Sequence, residues 1–134
     1  MSTIDNVSTV QTIYAAFGRA DVPAILASVR SDTKWDFAGA RAEVPWHAPV
    51  KSAADLPSFF GALMGNVRMA RFEPREFMHC GPHVIVEVAI EYTVVTTGRR
   101  VTMDQIHWWT LEGGKVARLR HFEDTAQVAA ALAA

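Results

Sequence analysis

The fold is decided by residues 83–123, HVIVEVAIEYTVVTTGRRVTMDQIHWWTLEGGKVARLRHFE, in which hydrophobic and polar residues alternate along three successive segments. Alternation with a period of two is typical of β-strands that have one buried face. Thr97-Gly98 and Gly113-Gly114 interrupt the alternation, and glycine-containing pairs of this kind favour hairpin turns. The stretch therefore predicts an antiparallel meander with strands over about 83–95, 99–112 and 115–123.

Before residue 67 the hydrophobic period is that of α-helices. A first helix is predicted to end near Gly18, and a second to start at Asp21, a favoured N-cap residue, followed by Pro23. A third helix is predicted with Asp55 as its cap. The apolar stripes of the three helices are Val7, Val10, Ile13, Tyr14 and Phe17; Ile25, Leu26 and Val29; and Leu56, Phe59, Phe60, Leu63, Met64 and Val67.

The remaining segments complete one α+β domain over residues 1–134. The patterns predict a short strand at 33–37, a loop at 38–50, a strand at 69–80 interrupted at Pro74, and a last helix at 125–133 capped by Asp124. Helices followed by an antiparallel meander indicate one sheet curled around the helices.

Composition and charge narrow the function classes. The 134 residues carry 13 basic and 14 acidic side chains, a net charge of -1, which argues against nucleic-acid partners and a polybasic membrane surface. The first residues do not resemble a signal peptide, and no apolar stretch approaches the roughly 18 residues of a membrane span. Together with the single cysteine, Cys80, this predicts a soluble, cytoplasmic protein with no membrane partner.

Five short motifs occur in a recognisable order: Tyr14-Ala-Ala-Phe17, Ser31–Asp36, Val44-Pro45-Trp46, His107-Trp108-Trp109, and Phe122–Ala126. In this order the chain resembles the SnoaL-like and ketosteroid-isomerase-related branch of the nuclear transport factor 2-like superfamily, over nearly its whole length. The resemblance implies a cone-shaped barrel, in which a strongly bent antiparallel sheet wraps around N-terminal helices and an internal apolar pocket. It also implies a homodimer through the sheet face.

The resemblance implies no single activity. We expect a small-molecule enzyme that performs proton-transfer chemistry (isomerisation, cyclisation or dehydration) on a hydrophobic or aromatic cyclic ligand. The alternative is a non-catalytic protein of the same fold that binds such a ligand. No cofactor is predicted, because the chain has no glycine-rich phosphate loop, and His79, Cys80 and His83 are too few and too crowded to form a metal site.

The candidate catalytic residues are His107, His121 and Gln105. Strand alternation puts His107 and Gln105 on the more apolar face of their strand, where an imidazole can move a proton near neutral pH. Gln105 is expected to orient a carbonyl group or a water molecule. A two-residue turn at Gly113-Gly114 pairs His107 with Arg120, whereas a three-residue loop with a bulge pairs it with His121; the face patterns favour the second register.

Related enzymes differ at several of these positions. In related cyclases the position that resembles His121 carries a catalytic acidic residue, so cyclase chemistry is in doubt. Asp36 lies near the general base of ketosteroid isomerases, but alternation turns it outward if Trp35 and Phe37 line the pocket. The second oxyanion donor of those isomerases falls near Ile106, which cannot donate a hydrogen bond, and the chain is therefore not expected to be a ketosteroid isomerase.

The aromatic residues are divided between pocket and surface. Trp108 is expected on the outer face, where a dimer partner covers it. Trp46-His47 lies in a proline-flanked loop that is expected to cover the mouth of the pocket. The predicted substrate-binding residues are Tyr14, Phe17, Trp35, Trp46, His47, Phe60 and Trp109.

Overall fold

The structure, a computed structural model, describes residues 3–134. Its helices are α1 (Thr3–Gly18), α2 (Val22–Leu26), α3 (Leu56–Asn66) and α4 (Thr125–Leu132). Its strands are β1 (Val29–Phe37), β2 (Val67–Cys80), β3 (His83–Val94), β4 (Arg100–Glu112) and β5 (Lys115–Phe122). Single 3-10 turns occur at Pro45–His47 and Ala53–Asp55. No helix in this part of the chain is long and apolar enough to cross a membrane.

The five strands form one curved sheet in the order β1-β5-β4-β3-β2, and the sheet does not close into a barrel. Strands β2 to β5 pair antiparallel with their chain neighbours, which confirms the predicted meander. Strand β1 adds a parallel pairing alongside β5, which local sequence patterns do not indicate because it joins segments distant in the chain. Helix α1 packs on the inner face of the sheet, where it contacts β2 and β3, whereas α4 packs against β4.

The turn between β4 and β5 fixes which side chains meet inside. It contains only Gly113 and Gly114, both with positive φ, so the predicted three-residue loop is wrong. A bulge in the ladder next to Thr110 supplies the extra residue instead, since Thr110 pairs with Arg118 but the next pair is Leu111 with Val116. The predicted pairing of His107 with His121 is therefore confirmed.

Several element boundaries differ from the sequence prediction. Val29 and Val67 begin β1 and β2 rather than ending helices, because their apolar side chains fit the buried face of either element. Strand β2 runs continuously through Pro74, with a register shift just after it. Asp21 and Asp124 cap α2 and α4 through their side chains, as predicted.

Asp55 occupies the N-cap position of α3, but its side chain does not cap the helix. Its carboxylate accepts a hydrogen bond from the backbone N–H of Lys51, at 2.9 Å, and so closes the preceding turn instead. Of the residues predicted on the apolar stripe of α3, Met64 is half exposed, whereas Leu56, Phe59 and Phe60 are buried.

Candidate functional site

A cavity of about 60 Å³ lies between the inner face of the sheet and helices α1 and α3. It exceeds the roughly 10–15 Å³ that one water molecule needs, but it is smaller than the roughly 150 Å³ of a cavity known to hold benzene. A ligand the size of one aromatic ring therefore requires side chains to move. The apolar lining residues that are partly exposed, and so form its mouth, are Phe17, Leu63, Met69 and Phe72.

One wall of the cavity carries a chain of hydrogen bonds that begins at Trp109. The indole Nε1–H of Trp109 donates to the Tyr14 hydroxyl oxygen at 3.0 Å. The Tyr14 hydroxyl lies 2.7 Å from Nδ1 of His107, and His107 Nε2 lies 2.8 Å from Oε1 of Gln105. The Gln105 amide then donates to Oε1 of Glu123 at 3.2 Å. Side chains from α1, from β4 and from the residue that follows β5 are thus connected across the interior.

Each proton in this series of hydrogen bonds has a defined position. The Gln105 carbonyl oxygen can only accept, so Nε2 of His107 carries the proton and donates. Nδ1 of His107 is then unprotonated and accepts from the Tyr14 O–H. Both ring nitrogens of His107 are therefore occupied by protein groups, and neither is available to a ligand unless a hydrogen bond breaks.

The chain of hydrogen bonds ends at the buried carboxylate of Glu123. The side chains of Glu123 and His47 are each 1% exposed, and His47 Nε2 lies 3.3 Å from Oε2 of Glu123. The backbone N–H of Arg41 donates to Nδ1 of His47 at 3.0 Å, so Nε2 is the ring nitrogen that donates towards Glu123. The contact is thus a hydrogen bond from the His47 imidazole to the carboxylate, and Glu123 accepts a second hydrogen bond from the Gln105 amide.

His121 differs from His107 in its free nitrogen. Its Nδ1 lies 3.2 Å from the backbone carbonyl of Asp36, which can only accept, so Nδ1 is protonated and Nε2 carries the lone pair. Among residues 3–134, no group hydrogen-bonds to that Nε2. The ring stacks on Phe37 with centroids 4.1 Å apart, and it lies 4.9 Å from the His107 ring.

Burial sets the protonation of both histidines. Burial lowers the pKa of His107 well below 6.5, and the neighbouring His121 lowers it further. Burial also lowers the pKa of His121 to about 4, although the Asp36 carbonyl acts in the opposite direction. Both rings are therefore neutral at pH 7. Burial raises the pKa of Tyr14, whose hydroxyl remains protonated and able to donate.

Most residues predicted for the site line this cavity. They are Tyr14, Phe17, Trp35, Trp46, Phe60, Gln105, His107, Trp109 and His121. The tryptophans pack edge-on: the rings of Trp35 and Trp109 meet at 84°, with centroids 5.5 Å apart.

Two predicted placements differ from the structure. His47 does not line the cavity; it lies behind Phe37, on which it stacks, with ring centroids 4.4 Å apart. Trp46 and His47 are also deeply buried rather than at the partly exposed mouth.

Two acidic residues considered for the site, Asp36 and Asp124, lie outside the cavity. Asp36 points outward, as alternation indicated, and its carboxylate lies 3.3 Å from Arg118 at the surface. Asp124 caps α4 and does not line the cavity.

Sequence reasoning missed two polar residues of the cavity, Glu123 and Tyr92. The signal for both was strand alternation: Glu123 shares the parity of His121, and Tyr92 shares the parity of the buried valines of β3. Alternation predicts the face but not the partner, and the partner of Glu123, His47, is 76 residues away in the chain.

Comparisons with known proteins agree with this architecture. Two structures of NTF2-like proteins are similar over essentially their whole length: one from Burkholderia xenovorans LB400 (29% identity, 99% of both chains, TM-score 0.89) and one of unknown function from Burkholderia pseudomallei K96243 (27% identity, 100% of both chains, TM-score 0.88). A third is TerC, co-crystallised with polyporic acid (26% identity, 96% of this chain and 98% of that chain, TM-score 0.82). A comparison with curated protein sequences finds no match.

The comparison with family models is decisive for classification. The model of the SnoaL-like domain matches residues 10–119, which include the second half of α1, helices α2 and α3, the first four strands and most of β5. This match covers more than half of the chain and includes Tyr14, Gln105 and His107. The chain therefore belongs to the SnoaL-like domain family.

Proposed function

We propose that the protein is an enzyme in which His121 acts as a general base on a hydrophobic cyclic ligand bound in the cavity. The observation that carries the proposal is the unpaired Nε2 of His121, a neutral imidazole nitrogen in an apolar, aromatic cavity. His107 is the less suitable base, because Tyr14 and Gln105 occupy both of its nitrogens.

The proposed step is a proton transfer. His121 Nε2 takes a proton from a carbon atom of the ligand, and the electron pair of the broken C–H bond remains on the ligand as an enolate or passes to a leaving group. The imidazolium that forms donates from Nδ1 to the Asp36 carbonyl, which favours the charged ring. Return of the proton to another ligand atom gives an isomer, and loss of a leaving group gives elimination.

The depressed pKa of His121 has two effects on this step. It keeps Nε2 unprotonated at neutral pH, but it also makes the free ring a weak base. A ligand that becomes negatively charged beside the ring counters the second effect, since an opposite charge raises the imidazole pKa. The chemistry is therefore best suited to ligands whose conjugate base is delocalised.

The proposal can be tested without the natural substrate by using 5-nitrobenzisoxazole. A base that removes its ring C–H proton breaks the N–O bond and releases a coloured cyanophenolate, so the rate is read by absorbance. We expect acceleration over buffer at pH 7 and a loss of about 10²-fold in His121→Gln. His83→Gln, the same substitution at a histidine on the outer face, is the matched control and keeps the wild-type rate. Equal rates in the wild type and His121→Gln contradict the assignment of the base.

The alternative function is binding without chemistry. It is favoured by the fixed hydrogen bonds of His107 and by the apolar walls of the cavity. Polyporic acid, the compound crystallised with TerC, is a suitable probe for this alternative. If polyporic acid binds while 5-nitrobenzisoxazole reacts no faster than in buffer, the binding function replaces the enzymatic one.

We also propose that the protein forms a homodimer through the outer face of the sheet. Met78, Ile85 and Trp108 form a cross-strand row on this face, and each is at least partly exposed. Covering such side chains with a second copy removes apolar surface from water. Light scattering should give a dimer mass for the wild type and a monomer mass for Trp108→Glu; a monomeric wild type contradicts the proposal.

A further inference from the structure

We propose that the end of the cavity bounded by Tyr92 and Glu123 is a recognition subsite for a ligand hydroxyl group. The ligand class is then a hydrophobic ring compound that carries an alcohol or a phenol. The inference rests on the proposed function in one respect only, which is that the cavity takes up a ligand.

The first observation is a hydroxyl group without a partner. Tyr92 lies on the inner face of β3, lines the cavity and is 2% exposed. Its hydroxyl oxygen is buried, and no group within residues 3–134 hydrogen-bonds to it. The second hydroxyl of the cavity, on Tyr14, is paired twice. Because buried hydroxyls in folded proteins are nearly always paired, Tyr92 is the position at which a bound molecule supplies what the chain lacks.

The environment makes Tyr92 a hydrogen-bond donor. Burial raises the pKa of Tyr92, and the negative charge of Glu123 raises it further. The phenol therefore keeps its proton at physiological pH and offers it to an acceptor. Trp46 packs edge-on against the Tyr92 ring, with centroids 6.2 Å apart, and restricts the space around it.

Glu123 supplies the complementary acceptor. Its carboxylate lines the same cavity, and each of its oxygens already accepts one hydrogen bond, from Gln105 and His47 respectively. A carboxylate accepts about four hydrogen bonds, so capacity remains on both oxygens.

A ligand hydroxyl satisfies both residues. It accepts from the Tyr92 O–H and donates to the Glu123 carboxylate. A ligand carbonyl satisfies only Tyr92 and turns its lone pairs towards the negative charge.

The experiment compares phenol with benzene, which differ by one hydroxyl, by titration calorimetry on the wild-type protein and on Tyr92→Phe. Phenol and benzene both require the cavity to widen, so the free-energy cost of widening cancels in the ratio of their affinities. We expect the wild type to bind phenol about tenfold more tightly than benzene, and Tyr92→Phe to lose most of this preference while benzene affinity is unchanged. Tyr92→Phe should fold normally, because it removes a hydroxyl that has no partner.

A second pair tests the choice between hydroxyl and carbonyl. Cyclohexanol should bind the wild-type protein more tightly than cyclohexanone, and tighter binding of cyclohexanone contradicts the hydroxyl assignment. If phenol and benzene bind the wild type equally, or if Tyr92→Phe keeps the phenol preference, a water molecule alone occupies the subsite and the inference is wrong. The His121 assignment then still stands on its own rate test. If neither ring compound binds, the ligand cavity itself is contradicted, and the proposed function fails with it.

Discussion

The two faces of β4 each carry a tryptophan joined to a histidine, and the two pairs behave differently. On the outer face, Trp108 donates directly to Nδ1 of His83 at 3.2 Å, and both residues are partly exposed. On the inner face, Trp109 reaches His107 through the Tyr14 hydroxyl, and all three residues are buried. Both pairs consist of a tryptophan and a histidine and differ in burial. Burial therefore decides whether the hydrogen bonds of such a pair can be replaced when one partner is lost. Water can substitute for a lost partner outside but not inside.

The largest effect should come from truncating one tryptophan on each face. Trp109→Ala leaves a cavity and removes the hydrogen bond that the Tyr14 hydroxyl oxygen accepts, and we expect a loss of about 3–5 kcal/mol in the free energy of unfolding. In the monomer, Trp108→Ala should lose about 1 kcal/mol or less, because water replaces its partners within the chain. Urea denaturation of both variants measures the difference, and equal losses would break the comparison between the faces.

A second expectation concerns the pH dependence of stability, since burial lowers the pKa of the two histidines on the inner face. The pKa of His121 is about 4 in the folded protein and about 6.5 in the unfolded chain. Below pH 6.5 the unfolded chain binds a proton that the folded protein does not, so stability falls between pH 6.5 and pH 4. His121 alone accounts for roughly 3 kcal/mol across this window, and the lowered pKa of His107 acts in the same direction.

The matched measurement is the free energy of unfolding at pH 7 and pH 4.5 for the wild type and for His121→Phe. Carboxylate titration is common to both proteins and cancels in the difference. We expect the variant to lose less stability than the wild type on acidification. A larger loss in the variant would mean that His121 is protonated in the folded protein.

A smaller effect is expected from removing one hydroxyl at each end of the cavity. Tyr14→Phe leaves the Trp109 N–H and His107 Nδ1 without a partner, and should lower the free energy of unfolding by about 1–3 kcal/mol. Tyr92→Phe removes a hydroxyl that has no partner, and should leave stability unchanged or raise it slightly. Thermal melts of the two variants test this, and a large loss in Tyr92→Phe would reveal a partner in solution.

Strand alternation predicted most of the site because it is a local property. It put Gln105, His107 and Trp109 on one face and Trp108 on the other, and the face patterns gave the register that brings His107 to His121. Alternation specifies a face because every second side chain points to the same side of a sheet.

What alternation could not predict depends on contacts between distant segments. The parallel pairing of β1 with β5 supplies the Asp36 carbonyl to His121, which lies 85 residues further along the sequence. Which ring nitrogens of His121 and His107 are hydrogen-bonded depends on the positions of individual partner atoms, such as the Asp36 carbonyl oxygen. Two histidines on one buried face are therefore indistinguishable until those atoms are located.

The central claim is that the two buried histidines have opposite tautomers and that only His121 has a nitrogen free for a ligand. Long-range ¹H–¹⁵N correlation spectra of the imidazole rings at pH 7 test it directly. The account predicts two neutral rings, with the proton on Nε2 in His107 and on Nδ1 in His121, and His121→Gln assigns the signals. A His121 ring protonated on Nε2 at pH 7, or a His107 ring with its proton on Nδ1, would contradict the account.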